Sequence, residues 1–528
     1  MGTSEQRVTR LTVPRKGKMV CLPPHRDRTP ARLAAREDYP QPGLWQQFSY
    51  NSDGDLMYRG HRALDWVEKY DAPLSVIDAE WVRYRTHQLH NLLDDARLAT
   101  HYFAKARVYY AAKARMHAGI VLPAYQAGAL GETSSVQDLL HIELLWRRRM
   151  LPPNFKTICN GFKLPPERLI DRVPGKPFSN DEPMYTPLDD YAGTIMRMLN
   201  AGLPIMPVID SLEEAAWFME HAPRKGMEVG VRLAFGKVRE DSDIDILNAG
   251  FGLTPQQAEK LLRKLAHHPR TMPRMLHAMV GAAETMPIQE LVDGARLAAE
   301  LYFRYKRVAP TLNTLNFGGG LPPLGEAYNH LELFCSLFKA IQQEAKKAGF
   351  DDGDLPVVAF EPGSLIAAES TFLIVPVLNI KTQGHVGGAP ILFGISDVSF
   401  IESTIDGLLL GHDFPMLPAN FGNRRSYPMW LRGVTCDSMD VWPPMTIERP
   451  WLRLPVPAPN EKLYIVAAHV GAYQESLTGK GGVNHCAVKE PAEVIIDGRR
   501  STVLPGTSAE DKLALMGYTR DVLGMLAK

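Results

Sequence analysis

Neither sign of charge is in excess: Lys plus Arg number 59 and Asp plus Glu number 59, leaving a formal net charge of zero over 528 residues. That balance excludes a broad nucleic-acid or anionic-membrane surface as the main partner, and leaves room only for a local basic patch. Cysteine is scarce. The five are scattered, with no Cys-x-x-Cys pair. This excludes a disulfide-dense scaffold and a Cys-rich zinc site, and it fits a reducing compartment, the cytoplasm. No run approaches the roughly 20 apolar residues that cross a bilayer. The Arg- and Lys-containing start, Met1 to Pro24, lacks the apolar core of a secretion signal. There is no GxGxxG dinucleotide loop, no GxxxxGK phosphate loop and no internal repeat. His277, His412 and His485 lie far apart in the chain, so no metal is assigned.

What is present is ample core material: 45% hydrophobic residues in a chain long enough for one large domain or two to three ordinary ones. Residues 1 to about 42 read as a poorly structured basic arm, because prolines and charges interrupt each short apolar run, Met19–Leu22 included. From about residue 100 strands and helices alternate. Arg107–Ala112, Phe155–Asn160, Pro204–Ile209, Val229–Phe235, Met275–Val280, Thr311–Phe317 and Val357–Phe360 have strand composition. Between them, Ser211–Glu214 and Thr254–Gln257 are helix-opening capping sequences, and Leu291, Ala295, Ala298, Tyr302 and Tyr305 form a helical stripe. This alternation predicts parallel strands with helical crossovers. Spacing alone does not choose between a (β/α)8 barrel and a doubly wound sheet. After about residue 370 helices thin out. Phe372–Ile380, Gly388–Phe393, Met429–Thr435, Tyr464–Val470 and Ala492–Ile496 read as strands of a mostly β domain, with a terminal helix over 509–527.

Several strand ends carry groups with chemical potential, each with an ordinary alternative. Lys113 follows the first strand. Desolvation there would favour the neutral amine, the form that attacks an aldehyde to give an imine, whereas a lysine reaching out to the rim is the plainer reading. Gly318-Gly319-Gly320 lets backbone N–H groups surround an anion such as phosphate, or simply makes a tight turn. Glu361, in Glu361-Pro362-Gly363-Ser364, would keep a facing pyridine nitrogen protonated, with Ser364 near phosphate oxygens; its alternative is a structural ion pair. Cys436 stands among carboxylates that would hold it protonated and able to donate to a carbanion, and Asp437 suits a cationic substrate end; the alternative for Cys436 is inert packing. Tyr473 offers a phenol to phosphate or packs as an ordinary aromatic. Asp440 and His412 read as supporting residues.

Together these segments resemble the pyridoxal-phosphate (PLP) enzymes built on an alanine-racemase-like barrel, fold type III. The nearer likeness is to the ornithine, diaminopimelate and arginine decarboxylases, biosynthetic arginine decarboxylases above all. Tyr110-Ala-Ala-Lys113-Ala-Arg115 resembles the cofactor-lysine motif, with Arg115 where asparagine is usual. Gly131–Ser135 resembles an early active-site loop, Ile158–Lys163 a segment of arginine decarboxylases, and Gly230–Leu233 the strand with an arginine, Arg232, near the cofactor. Asn316–Gly320 and Glu361–Gly363 resemble the phosphate-binding glycine loop and the pyridine-facing acid. Gly433–Ser438 resembles a late motif supplied by a second subunit, and Gly471–Tyr473 the phosphate-binding tyrosine segment.

The resemblance implies an α/β fold: a PLP-binding (β/α)8 barrel over 101–370, an N-terminal segment 43–100 contributing to a β domain, and a C-terminal β domain of sandwich or barrel type over 371–528. It implies PLP as cofactor and decarboxylation of a basic amino acid such as arginine, ornithine, lysine or a derivative, in the manner of polyamine biosynthesis. Lys113 and Cys436 would be catalytic. Arg232, Met279, Gly318, Gly319, Gly320, Glu361, Gly363, Ser364 and Tyr473 would contact cofactor, and Asp437 substrate. A homodimer with shared sites follows, with no nucleic-acid or membrane partner. Racemization or epimerization, and a weakly active binding homologue, are the alternatives. The departures are specific. Met279 falls where the family places a ring-stacking histidine, and Ala282 where it has serine; Ser364 replaces an arginine that often holds phosphate; Gly250 replaces a lysine before Phe-Gly-Leu.

Overall fold

Val-, Ile- and Tyr-rich runs separated by capped helices bury both faces, the condition for a parallel sheet sealed by helices. The computed structural model describes residues 12–15, 18–21, 29–163, 191–234, 250–280, 287–321, 329–386, 389–479 and 481–527. The chain divides into two units, Trp81–Ile366 and the combination of Met1–Glu80 with Ala367–Lys528. The division after Glu80 assigns to the barrel unit most of the helix Ala79–Thr100, which the sequence reading placed with the β domain.

The Trp81–Ile366 unit is a closed eight-stranded parallel barrel. Its strands are β1 (Ala106–Ala111), β2 (Leu130–Thr133), β3 (Thr157–Cys159), β4 (Ile205–Ile209), β5 (Met227–Leu233), β6 (Thr271–Ala278), β7 (Thr314–Asn316) and β8 (Val357–Phe360). Each pairs with the next and β8 pairs with β1. That closure decides against the doubly wound sheet. The expected caps form: Ser211 Oγ accepts from Glu214 N at 3.1 Å, and Thr254 and Gln257 make a reciprocal box. Ser135 and Asp138 make another after β2. The segment Leu130–Thr133, expected as part of a loop, is a short buried strand whose Gly-Glu pair hides the strand signature. The stripe Leu291, Ala295, Ala298, Tyr302 and Tyr305 is buried on the helix Ile288–Lys306.

Side chains alternate along each strand, so one set fills the barrel. Tyr109, Ile158, Val208, Met275 and Ala359, from five strands, form one apolar cluster with Leu130 and Met206 against it. Gly230 leaves room there: a Cβ on it would lie 3.2 Å from Val208 and 3.4 Å from Met275. This apolar floor is what the polar residues one step further along each strand rest on.

The other unit is the expected β-rich domain, organised on a ten-stranded mixed sheet. Its long central strand, Thr371–Val386, pairs with Leu463–Ala468 along one edge and with Leu74–Asp78 and then Ala389–Ser396 along the other. Alternation gives it two buried faces. Leu373, Val375 and Val377 enter one core with Met429, Leu431, Trp442 and Ile465; Phe372 and Ile374 enter another with Val76, Leu417 and Val466. Truncating one of these large side chains to alanine costs about 2–5 kcal/mol.

Much of the N-terminal arm is ordered rather than loose. Thr12–Arg15 pairs antiparallel with Lys18–Cys21. Ala31–Asp38 is a helix whose Ala35, together with Tyr39, joins the second core, and Ala31 N donates to Arg424 O at 2.8 Å. Proline and charge counts missed this because the contacts are with residues nearly 400 positions away. The terminal helix is two, Ala509–Leu515 and Arg520–Leu526, parted near Gly517 at φ 88°. Phe235, Gly281, Ala282 and Gly388 lie outside the described residues. Among the described residues no helix is long and apolar enough to cross a membrane.

Candidate active site

Two residues beyond the apolar floor, the same alternation delivers a polar layer at the C-terminal ends of the strands. Glu132, Asn160, Asp210, Arg232, His277, Asn316 and Glu361 each stand two positions after an inward residue of β2, β3, β4, β5, β6, β7 and β8. Register sets three side by side: Arg232 pairs with His277, and His277 with Asn316. The C-terminal end of a β/α barrel is where such enzymes place their chemistry.

Glu361 is the hub of this layer. Its carboxylate accepts from Asn316 Nδ2 at 2.7 Å and from Asn160 Nδ2 at 3.0 Å on both oxygens. His277 Nε2 lies 3.2 Å from Oε1, without the alignment of an N–H···O hydrogen bond. Burial alone would push the Glu361 carboxyl up. His277, then Lys113 and the Asn160 bond, overcome it and hold the group down at about 2. Glu361 is therefore a buried, ionised carboxylate. Asn160 Nδ2 also reaches Glu132 Oε1 at 2.9 Å, linking the two acids through one amide.

Lys113 sits in the short turn Ala112–Ala114 directly after β1. Its Nζ is 3.2 Å from Glu132 Oε2 and 3.4 Å from Ser134 Oγ, and Ser134 Oγ donates to Glu132 Oε1 at 2.7 Å. The expected desolvation is absent: the side chain is 44% exposed, while Glu132 is fully buried. The strand is buried but the lysine is past its end, so the ammonium faces the mouth and a carboxylate instead of a dry interior.

The glycine run is a cradle that tolerates no side chain. Gly318 and Gly320 have φ of 70° and 75°. A Cβ on Gly318 would meet Met279 Sδ at 2.4 Å, and one on Gly319 would meet Glu361 O at 2.9 Å. Met279 thus lies against the cradle while His277, one step deeper, holds the acid. Gly363 is buried and half-buried Ser364 opens the four-residue helix Ser364–Ala367. Arg232 stacks on Phe251 at 4.5 Å and is 3.6 Å from Asp210. Lys163, fully buried, pairs with Glu214 at 3.2 Å; burial pushes its amine down, and Glu214 also accepts from the backbone of Lys163 and Asp210. This pair pins the loops after β3 and β4.

Several polar atoms of the layer have no hydrogen-bond partner although buried: both His277 ring nitrogens, Arg232 Nε, Asn160 Oδ1 and Asp210 Oδ2. Unsatisfied buried groups in such numbers call for a polar ligand. An anion-binding cradle, a buried carboxylate able to hold a protonated ring nitrogen, and a lysine at the mouth are together the set of groups that a phosphorylated pyridine aldehyde requires.

The late candidates belong to the other unit. Gly433–Asp440 is a loop closed on Asp440, whose carboxylate accepts from Phe400 N at 2.7 Å, Thr435 N at 3.2 Å and Thr435 Oγ1 at 2.7 Å. Arg432 donates to the carbonyls of Asp437 and Ser438. Cys436 is exposed on this loop and Asp437 is half-buried beside it. The Cys436 thiol is pushed up, as expected, but Cys486 is the chief cause and Asp437 a minor one. His412 stacks on Phe414 at 4.6 Å. Tyr473 is half-buried at φ 64°; the segment is seated by Gly471, where a Cβ would lie 2.0 Å from Ala367 O.

Sequence reasoning missed Glu132, Asn160, Asn316 and His277 as partners of Lys113 and Glu361. Each sat inside a segment already singled out, and the signal was a polar residue two positions beyond an inward apolar one.

No family model matches the chain. The uncharacterized protein y4yA of Sinorhizobium fredii is 21% identical over 462 residues, covering 81% of this chain and 89% of that one. Among solved structures, the biosynthetic arginine decarboxylase SpeA of Campylobacter jejuni superposes with a TM-score of 0.72 at 16% identity, covering 94% of this chain and 92% of that one. Diaminopimelate decarboxylase of M. jannaschii, in complex with L-lysine, gives 0.68 at 19%, covering 89% and 97%. Lysine/ornithine decarboxylase of Vibrio vulnificus, complexed with cadaverine, gives 0.56 at 20%, covering 81% and 95%. The closed barrel and the β-rich unit thus share the alanine-racemase-like fold of these structures.

Proposed function

We propose that this chain is a PLP-dependent decarboxylase of a basic amino acid. The observation that carries the reading is the ionised, buried Glu361 held by Asn160, Asn316 and His277 in the same mouth as Lys113 and the glycine cradle. The cofactor, when bound, supplies the electron sink that lets the bond to the carboxylate break. Lys113 would be the amine that holds the cofactor aldehyde. Glu132 and Ser134 orient that amine. Glu361 keeps a proton on the ring nitrogen. The Gly318–Gly320 loop, through the N–H groups of Gly319 and Gly320 because Gly318 N donates to Asn316 Oδ1 at 2.9 Å, would hold phosphate with Gly363, Ser364, Arg232 and Tyr473, and Met279 would offer the ring a polarizable sulfur in place of a histidine.

Asp437 binds the distal cation of the substrate, which favours arginine, ornithine, lysine or a derivative. Cys436 donates the proton that replaces the lost carboxylate. Both come from the second subunit of a homodimer in this reading. The solved relatives that hold L-lysine and cadaverine support a substrate with a distal amine. The test is to load purified protein with PLP and offer a panel of carboxyl-labelled basic amino acids. Release of labelled CO2 with the matching amine is expected. Inversion of the alpha carbon without CO2 would replace this reading by a racemase, and no turnover with any member would remove it.

A further inference from the structure

Cys436 and the pair His485-Cys486 are about fifty residues apart in sequence, yet they meet at the surface of the β unit. Cys436 Sγ is 3.5 Å from His485 Nε2 and 3.6 Å from Cys486 Sγ, and the three ligand atoms all lie within 4.8 Å of one another. All three residues are exposed. A tetrahedral zinc ion, with bonds of about 2.3 Å to sulfur and about 2.05 Å to nitrogen, sets sulfur–sulfur edges of about 3.8 Å and sulfur–nitrogen edges of about 3.5 Å. Both measured edges match. A disulfide would need about 2.05 Å between the sulfurs and would use no histidine.

Backbone geometry supports the convergence. Adjacent residues normally direct their side chains apart, but here Cys486 and Ala487 have φ of 57° and 51°, the left-handed region that non-glycine residues seldom adopt. That turn presents His485 and Cys486 to the same point. The loop carrying Cys436 is fixed by Asp440 from below.

We propose that Cys436, His485 and Cys486 form a binding site for a thiophilic divalent cation of the zinc class, with a fourth position open to water. As the bonds form, each thiol gives its proton to solvent, and no electrons are transferred. Resting on the reading of Cys436 as proton donor, occupancy of this site also switches the enzyme off, because the metal-bound thiolate has no proton to give.

The test is titration of the reduced, full-length protein with cobalt(II). A thiolate-to-cobalt charge-transfer band with tetrahedral visible absorption is expected at one metal per chain, bleached by zinc. Cys486→Ser and His485→Ala, both at exposed positions, each weaken cobalt binding by at least about ten-fold. Absence of the band, or an unchanged band in the Cys436→Ser/Cys486→Ser double variant, overturns the site. The spectrum needs no activity, so it stands apart from the proposed reaction. Where the decarboxylase reading holds as well, zinc inhibits turnover and Cys486→Ser relieves the inhibition; turnover unaffected by a demonstrated bound metal would overturn the switch alone.

Discussion

Two buried glutamates, one in each unit, are displaced in opposite directions. Glu361 in the barrel is held down at about 2, while Glu402, on the helix Phe400–Ser403 of the β unit, is pushed up to about 7. Burial raises both. The difference is in the compensation. Glu361 faces His277 and Lys113 and accepts from two amides, whereas Glu402 has chiefly a backbone bond from Val483, with the carboxylates Glu490 and Glu475 nearby and Lys512 opposing them. One region is built to keep a charge in the interior. The other merely tolerates an acid bonded to the backbone of Val483. A polar layer on an apolar floor is therefore not a by-product of burial, since burial by itself gives the Glu402 result.

The largest expected effect comes from removing the amine at the barrel mouth. Lys113→Ala lowers turnover by about 10³-fold or more and leaves circular dichroism unchanged, because the side chain is exposed and past the strand. Next is Glu361→Gln, which keeps the shape and deletes the charge. Turnover falls by about 10²–10³-fold in steady-state assays. Its stability signature has a definite sign. A depressed carboxyl adds stability that is fully present above about pH 4.5 and is lost as pH falls toward about 2, so the stability gap between wild type and the variant shrinks in denaturant titrations over that window.

A smaller change, Asn316→Ala, removes one bond to a charged acceptor. It costs about 1.5–3 kcal/mol by urea unfolding, and less in an Asn316→Ala/Glu361→Gln background, where the charge is gone. The smallest effect is predicted for Glu402→Gln. A raised carboxyl adds stability that is present below about pH 4.5 and lost as pH rises through about 7. The variant is therefore more stable than wild type at pH 8 and equal to it at pH 4. Identical pH profiles for the two glutamine variants would erase the contrast between the regions.

Much of the barrel was legible because strand composition, caps and helical stripes are local properties. Val357–Phe360 and the Ser211 and Thr254 caps needed no tertiary information. The short strand Leu130–Thr133 was hidden because its inward Glu132 breaks the apolar signature, and it does so because it serves the mouth. Barrel closure, a pairing of β8 with β1 across 250 residues, has no local signal. The same limit applies to the helix Ala31–Asp38 and to the meeting of Cys436 with His485. The segments bearing Lys113, Glu361 and the glycines were recognisable from their short motifs. Their wiring through Asn160 and Asn316 was not, since an asparagine beyond a strand end reads first as a turn residue.

The central claim is that Lys113 carries the cofactor. The most direct measurement is borohydride reduction of the PLP-loaded protein followed by peptide mass mapping. The account predicts a single reduced phosphopyridoxyl adduct on the peptide containing Lys113, absent in Lys113→Ala. An adduct on Lys163 or any other lysine, with Lys113 unmodified, would contradict it.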